Sequence, residues 1–115
     1  MFMLKKLAAA ACVAACAFSS PAGATSAEEG YIVGVMAMRN GAVIFSHTGV
    51  RTGTPPACHG QGYGWALSGA TLGGQAQVSA LLTAYAQHKK IVIIGMGSCA
   101  DWPDTESLNY FRIID

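Results

Sequence analysis

The sequence predicts a mostly β domain with one helix. Three observations carry this. Short apolar stretches with a period of two are separated by Gly, Pro and Asn. One longer stretch, after Thr71, has the helical period. A continuous β-branched run, Ile91 to Ile94, follows it directly and has the character of a buried strand.

The elements follow in chain order. Thr25 to Glu29 is polar and is expected to fray. Gly30 to Arg39 is a strand, with Tyr31, Val33, Val35 and Ala37 on one face and Ile32, Met36 and Met38 on the other. Both faces are apolar, so both are expected to be covered. Asn40-Gly41 suits a type I′ hairpin turn, which needs positive φ at both central residues. Ala42 to His47 then returns as a second strand. Thr48 to Gly62 is a loop containing Pro55-Pro56 and Cys58, and Tyr63 to Ser68 is a short third strand around Trp65.

Thr71 can cap a helix over Leu72 to Lys89, in which Val78, Leu81, Leu82, Tyr85 and Ala86 repeat at helical spacing. Gly73 and Gly74 should weaken its first turn by about 1 kcal/mol each relative to Ala. His88, Lys89 and Lys90 suit its C-terminus, where the helix dipole favours cations. After the buried strand and a loop to Glu106, Ser107 to Ile114 alternates as the last strand. The order β-β-β-α-β-β is that of an OB-like five-stranded barrel.

Residues 1–24 read as a secretory signal peptide. Lys5 and Lys6 form a basic start, Leu7 to Phe18 is small and apolar, and Ala22-Gly23-Ala24 offers small residues for cleavage. Cleavage after Ala24 leaves residues 25–115 as one small exported domain, periplasmic or secreted. The rival is a lipoprotein, with Val13-Ala14-Ala15-Cys16 as a loose lipobox. The apolar run is shorter than the roughly 20 residues of a spanning helix, so no membrane insertion is expected once it is removed.

Beyond Ala24 the bases are Arg39, Arg51, Lys89, Lys90 and Arg112, and the acids Glu28, Glu29, Asp101, Asp104, Glu106 and Asp115. Near-neutral charge without a basic patch argues against nucleic acid, whose phosphates demand one. Cys58 and Cys99 are the two cysteines beyond the signal, and in an oxidising compartment they are expected to form a disulfide.

A glycine-led first strand (Gly30 to Arg39), Trp65 ahead of the helix, and the helix Gln77-Val78-Ser79-Ala80-Leu81-Leu82-Thr83-Ala84-Tyr85-Ala86 running into Ile91 to Ile94 form a pattern. It resembles the B subunits of AB5 toxins, in particular the subtilase-cytotoxin and pertussis-like group. The resemblance implies an OB-like barrel, a homo-oligomer (a pentameric ring) and carbohydrate binding. It carries no sugar-binding residue onto a numbered position of this chain.

No catalytic set stands out, so no enzyme activity is expected. Cys58-His59 is a poor nucleophile–base pair if Cys99 takes the thiol. Ser46, Ser68 and Ser98 lack a G-x-S-x-G frame. His47, His59 and His88 lack metal-ligand spacing. Asp101, Asp104 and Glu106 lack the pattern of a calcium loop; they read as a solvated loop in which one carboxylate caps a turn or pairs with Arg51 or Arg112. No cofactor or metal is therefore expected.

Binding candidates remain. Trp102 sits in the polar stretch Asp101-Trp102-Pro103-Asp104, and Tyr63 precedes Trp65. Aromatic faces stack on sugars while carboxylates bond hydroxyls, which marks Trp102, Asp101 and Tyr63. Arg51 either holds an anionic group or bonds loop carbonyls and the acidic loop. The expected ligand is a glycan or a protein. The alternative is a periplasmic structural or inhibitory protein acting through a strand edge or the Pro55-Pro56 loop.

Overall fold

The computed structural model describes residues 25–60 and 64–115. The signal reading and Tyr63 lie outside those residues. The elements are β1 (Ser26–Ala37), β2 (Ala42–His47), β3 (Arg51–Thr52), β4 (Trp65–Ser68), α1 (Leu72–Ala86), β5 (Lys90–Gly95) and β6 (Leu108–Ile114). The domain is mostly β with one helix among the described residues. Its strands form an open antiparallel sheet along the path β4-β2-β1-β5-β6, and β3 pairs with β1. An isolated parallel bridge joins Ala66 to Ser107, where the Ala66 N–H donates to the Glu106 carbonyl at 3.0 Å.

The first strand departs from expectation at both ends. It begins at Ser26, so the polar segment before Gly30 is ordered sheet. Ser26 and Ala27 are flanked on both sides, by Thr52 and Arg51 of β3 and by Ile94 and Ile93 of β5. Backbone pairing on two edges outweighs polar composition there. Within β1 the register with β2 shifts between Val33 and Val35, at Gly34, whose φ is 70°. Glycine adopts that conformation without the Cβ clash, so a bulge forms there. The bulge resets the alternation. Ile32 and Val35 both reach the core, while Val33 and Met36 are about half exposed. The two covered faces read from the sequence are therefore one core face and one open face.

The β1–β2 hairpin is present with a different turn. Gly41 N–H donates to the Met38 carbonyl at 3.0 Å, and Met38 and Ala42 pair across the loop. Gly41 has φ 95°, whereas Asn40 keeps negative φ. That is a three-residue loop with a glycine bulge, and Asn40 Oδ1 accepts the Ala42 N–H instead of Asn40 turning left-handed.

Thr71 caps α1, its hydroxyl accepting the Gly74 N–H at 3.0 Å. A side chain at Gly74 would collide with the Ser68 carbonyl, so this glycine lets the helix start against the end of β4. Gly73, by contrast, has open space around it. The helix stops at Ala86, with Gln87 as its C-cap and His88 left-handed at φ 55°. His88, Lys89 and Lys90 thus lie beyond the helix, and Lys90 opens β5.

The core joins Ile32, Phe45, Trp65, Leu67, Ile91 and Ile93 from the sheet to Leu81 and Ala84 of α1. Cys58 and Cys99 are bonded, with Cα atoms 6.2 Å apart, and tie the β3–β4 loop to the β5–β6 loop. The bond closes a segment with a sequence separation of 41. In the chain-entropy model a loop of that size is worth about 4 kcal/mol. We expect reduction, or Cys58→Ser with Cys99→Ser, to lower stability by up to that amount. Urea unfolding of the oxidised and reduced protein checks this, and equal midpoints would refute it.

Candidate functional site

The long β5–β6 loop is held from beneath by a buried polar network. Glu106 is fully buried. Its Oε1 accepts from Thr25 Oγ1 at 2.5 Å and from Arg51 Nη1 at 2.7 Å, and its Oε2 accepts from the Gly97 N–H at 2.9 Å. Arg51 also donates to Thr25 Oγ1 at 3.1 Å and to the Gly64 carbonyl. Its guanidinium lies over the Trp65 ring, 3.8 Å from the centroid. A charge removed from water must be paired and bonded to be tolerated, and here every buried side-chain polar atom among the described residues has a partner. Burial lowers the Arg51 pKa, and the neighbouring Glu106 opposes that shift.

Two histidines are locked in one tautomer by the backbone. His59 Nδ1 accepts the Glu106 N–H at 3.0 Å. His47 Nδ1 accepts the Gly49 N–H at 3.2 Å, leaving Nε2 to donate to the Ile91 carbonyl at 3.0 Å. Neither Nδ1 can take a proton without losing its backbone donor. Burial lowers both pKa values. For His59 the nearby Arg51 lowers it further, against Glu106 and Asp104.

The loop above is knitted to itself. Met96 N–H donates to the Ser107 carbonyl and Ser107 N–H to the Ser98 carbonyl, each at 2.8 Å. Asp101 N–H donates to Ser107 Oγ at 2.9 Å, and Gly60 N–H reaches the Asp104 carbonyl at 2.7 Å. Asp104 Oδ1 accepts from Thr105 Oγ1. The acidic trio is therefore divided: Glu106 is buried on Arg51, Asp104 is used within the loop, and the Asp101 carboxylate has no hydrogen-bond partner among the described residues. Among the described residues no group of His, Cys, Asp and Glu is arranged to hold a metal ion.

Asp101 lines a groove of about 370 Å³ where the start of α1 meets the β5–β6 loop. Ser68, Thr71 and Gln77 form one wall, and Met96, Asp101, Leu108 and Asn109 the other. Gln77 Nε2 donates to the Asn109 carbonyl at 2.9 Å and pins α1 to β6 across the floor. Gly74 also lines the groove, so the close approach of α1 to β4 shapes it.

A second groove, of about 270 Å³, lies at the other end of α1 and β5. There Tyr31 and His88 stack with centroids 4.1 Å apart and planes 5° apart, beside Lys89 and Lys90. Glu29 and Asp115 line it too, so its charge is mixed.

Of the four residues singled out in the sequence, Asp101 lies in the first groove. Trp102 is partly exposed and does not line that groove, and its carbonyl accepts the Thr105 N–H. Arg51 belongs to the buried network. Sequence reasoning missed Ser68, Thr71, Gln77 and Asn109 as groove residues. Gln77 sits in a helix with no charged residue, and nothing in its periodicity marks it.

Two outcomes follow from the network. Glu106→Ala leaves Arg51 half-buried without its carboxylate and should cost about 3–5 kcal/mol. Arg51→Met with Glu106→Leu should cost less than the sum of the single changes, which a double-mutant cycle in urea measures. Separately, the folded pKa of each histidine lies below its unfolded value of 6.5. The unfolded chain then binds more protons below pH 6.5, so this stability is complete above 6.5 and declines as the pH falls. Urea midpoints from pH 7.5 to 5 should drop, and His59→Asn, which keeps an acceptor, should flatten the slope. An unchanged slope would reject the assignment.

Compared with protein-family models, with curated proteins and with solved structures, the chain matches none of them.

Proposed function

We propose that this chain is an exported, non-enzymatic binding module of OB-like fold, and that its groove at the start of α1 takes a glycan. The observation that carries the reading is the lining of that groove. Two hydroxyl residues (Ser68, Thr71), two amide residues (Gln77, Asn109) and the acidic Asp101 line it together with the apolar Met96 and Leu108. Sugars present this mixture in reverse, with hydroxyls around apolar C–H faces, and sites of this mixed character are the usual small-ligand sites.

The OB-like reading has its own support. Setting aside the two-residue β3, five strands remain, with α1 between the third and fourth. The sheet path ends on β4 and β6, and the parallel Ala66–Ser107 bridge draws those ends together, as barrel closure requires. The Cys58–Cys99 bond suits an oxidising, periplasmic or extracellular compartment. A pentameric ring is the assembly that the resemblance to AB5 toxin B subunits implies.

A second reading rests on β6. It ends the sheet path, with Tyr110 53% and Ile113 37% exposed. Past the Ser107 bridge the edge of β6 has no paired strand among the described residues, and such an edge flanked by apolar side chains can accept a partner protein.

Screening the oxidised protein on a glycan array, alongside light scattering for its oligomeric state, tests both. Glycan binding that Gln77→Ala weakens supports the first reading. No glycan bound, with a protein retained through β6, would replace it by the second.

A further inference from the structure

Resting on the glycan reading above, we infer that the groove at the start of α1 selects an uncharged, hydroxyl-rich sugar and rejects sugars that carry a carboxylate or sulfate. The selectivity follows from what the lining groups can still bond.

Thr71 Oγ1 accepts the Gly74 N–H and keeps its own hydrogen to donate. Ser68 Oγ accepts the Ala70 N–H and likewise keeps its hydrogen. Gln77 spends one amide hydrogen on the Asn109 carbonyl, leaving the other hydrogen and its carbonyl oxygen. Asp101 has only its backbone N–H engaged in the loop, so its carboxylate stays an acceptor. The groove therefore offers donors and acceptors in mixture. A sugar hydroxyl both donates and accepts and can use each of them. An anionic oxygen only accepts, and would face the Asp101 carboxylate with nothing to give it.

Charge points the same way. Among the described residues Asp101 is the one ionisable side chain in the lining, and no cationic side chain lines the groove beside it. Arg51 is engaged by Glu106, Lys89 and Lys90 line the other groove, and Arg112 does not line this one. Arg39, in the β1–β2 turn, does not line the groove. The start of α1 contributes only a fractional positive charge, about +0.5, already partly met by the Thr71 cap. A full negative charge on Asp101 exceeds it, so an acidic sugar meets net repulsion.

Matched pairs decide the matter. Lactose and 3′-sialyllactose, and an array of neutral glycans with their sialylated and sulfated counterparts, are offered to the full oxidised protein. Binding is read on the array and by ligand-observed NMR. The neutral member of each pair should bind at least about tenfold better, a difference of one decade in Kd. Asp101→Asn is close in size and leaves the backbone bond to Ser107 in place. It should weaken neutral binding and narrow the gap between pair members, while urea unfolding stays unchanged. Preference for the acidic member, or an Asp101→Asn protein that discriminates as before, overturns this inference and leaves the glycan reading standing. Absence of any glycan binding overturns both.

Discussion

Glu106 is a carboxylate with no access to water, and the fold is arranged around that fact. A buried charge is tolerated only where the chain brings it a countercharge and hydrogen bonds. The partners come from four places: Thr25 at the start of the described chain, Arg51 of β3, Gly97 after β5, and His59 through the Glu106 backbone. Arg51 is in turn held by the Trp65 ring and the Gly64 carbonyl. One side chain thus fixes where the ends of β1, β3, β4 and β5 lie relative to the β5–β6 loop. The two-residue β3 pairs with β1 at Ser26 and Ala27, and the ion pair that Arg51 makes adds to that hold.

The groove inherits its shape from that scaffold. Asp101 reaches it because Ser107, next to Glu106, takes the Asp101 N–H on its hydroxyl. The Cys58–Cys99 bond and the Gly60–Asp104 contact hold the same loop from its other side. On the opposite wall, Gly74 lets α1 start against β4, and Gln77 fastens it to β6. The polar groups that converge are therefore carried by a helix and by a loop with bonds on every side. Such support fixes the shape of the groove, and a pre-ordered groove lowers the entropic cost of recognition for any ligand it takes.

Legibility in the sequence followed the range of the interaction. The helix over its first fifteen residues, the second strand, the hairpin and the strands after the helix were readable, because period and turn chemistry act between near neighbours. The disulfide was readable because, once Cys12 and Cys16 are read as part of a signal, Cys58 and Cys99 allow one pairing. The faces of β1 were misread, since one glycine resets the alternation and its left-handed φ leaves no mark in the hydrophobic pattern. Thr25 to Glu29 read as a frayed end, because its order comes from pairing with β3 and β5. In the site, Asp101 was visible as a carboxylate in a loop rich in polar groups. Ser68, Thr71, Gln77 and Asn109 were not, since three elements distant in sequence must meet before they face one space.

By itself, then, the sequence determined a mostly β chain with one helix and the pair of sulfurs that join. These rest on local periodicity, on turn and cap chemistry and on simple counting. The tertiary structure alone decided which acid is buried and which stays free. Glu106, Asp104 and Asp101 are chemically alike and lie within six residues, so composition cannot rank them. Their roles separate only when Arg51, Thr25 and Gly97 arrive around one carboxylate and leave another facing water.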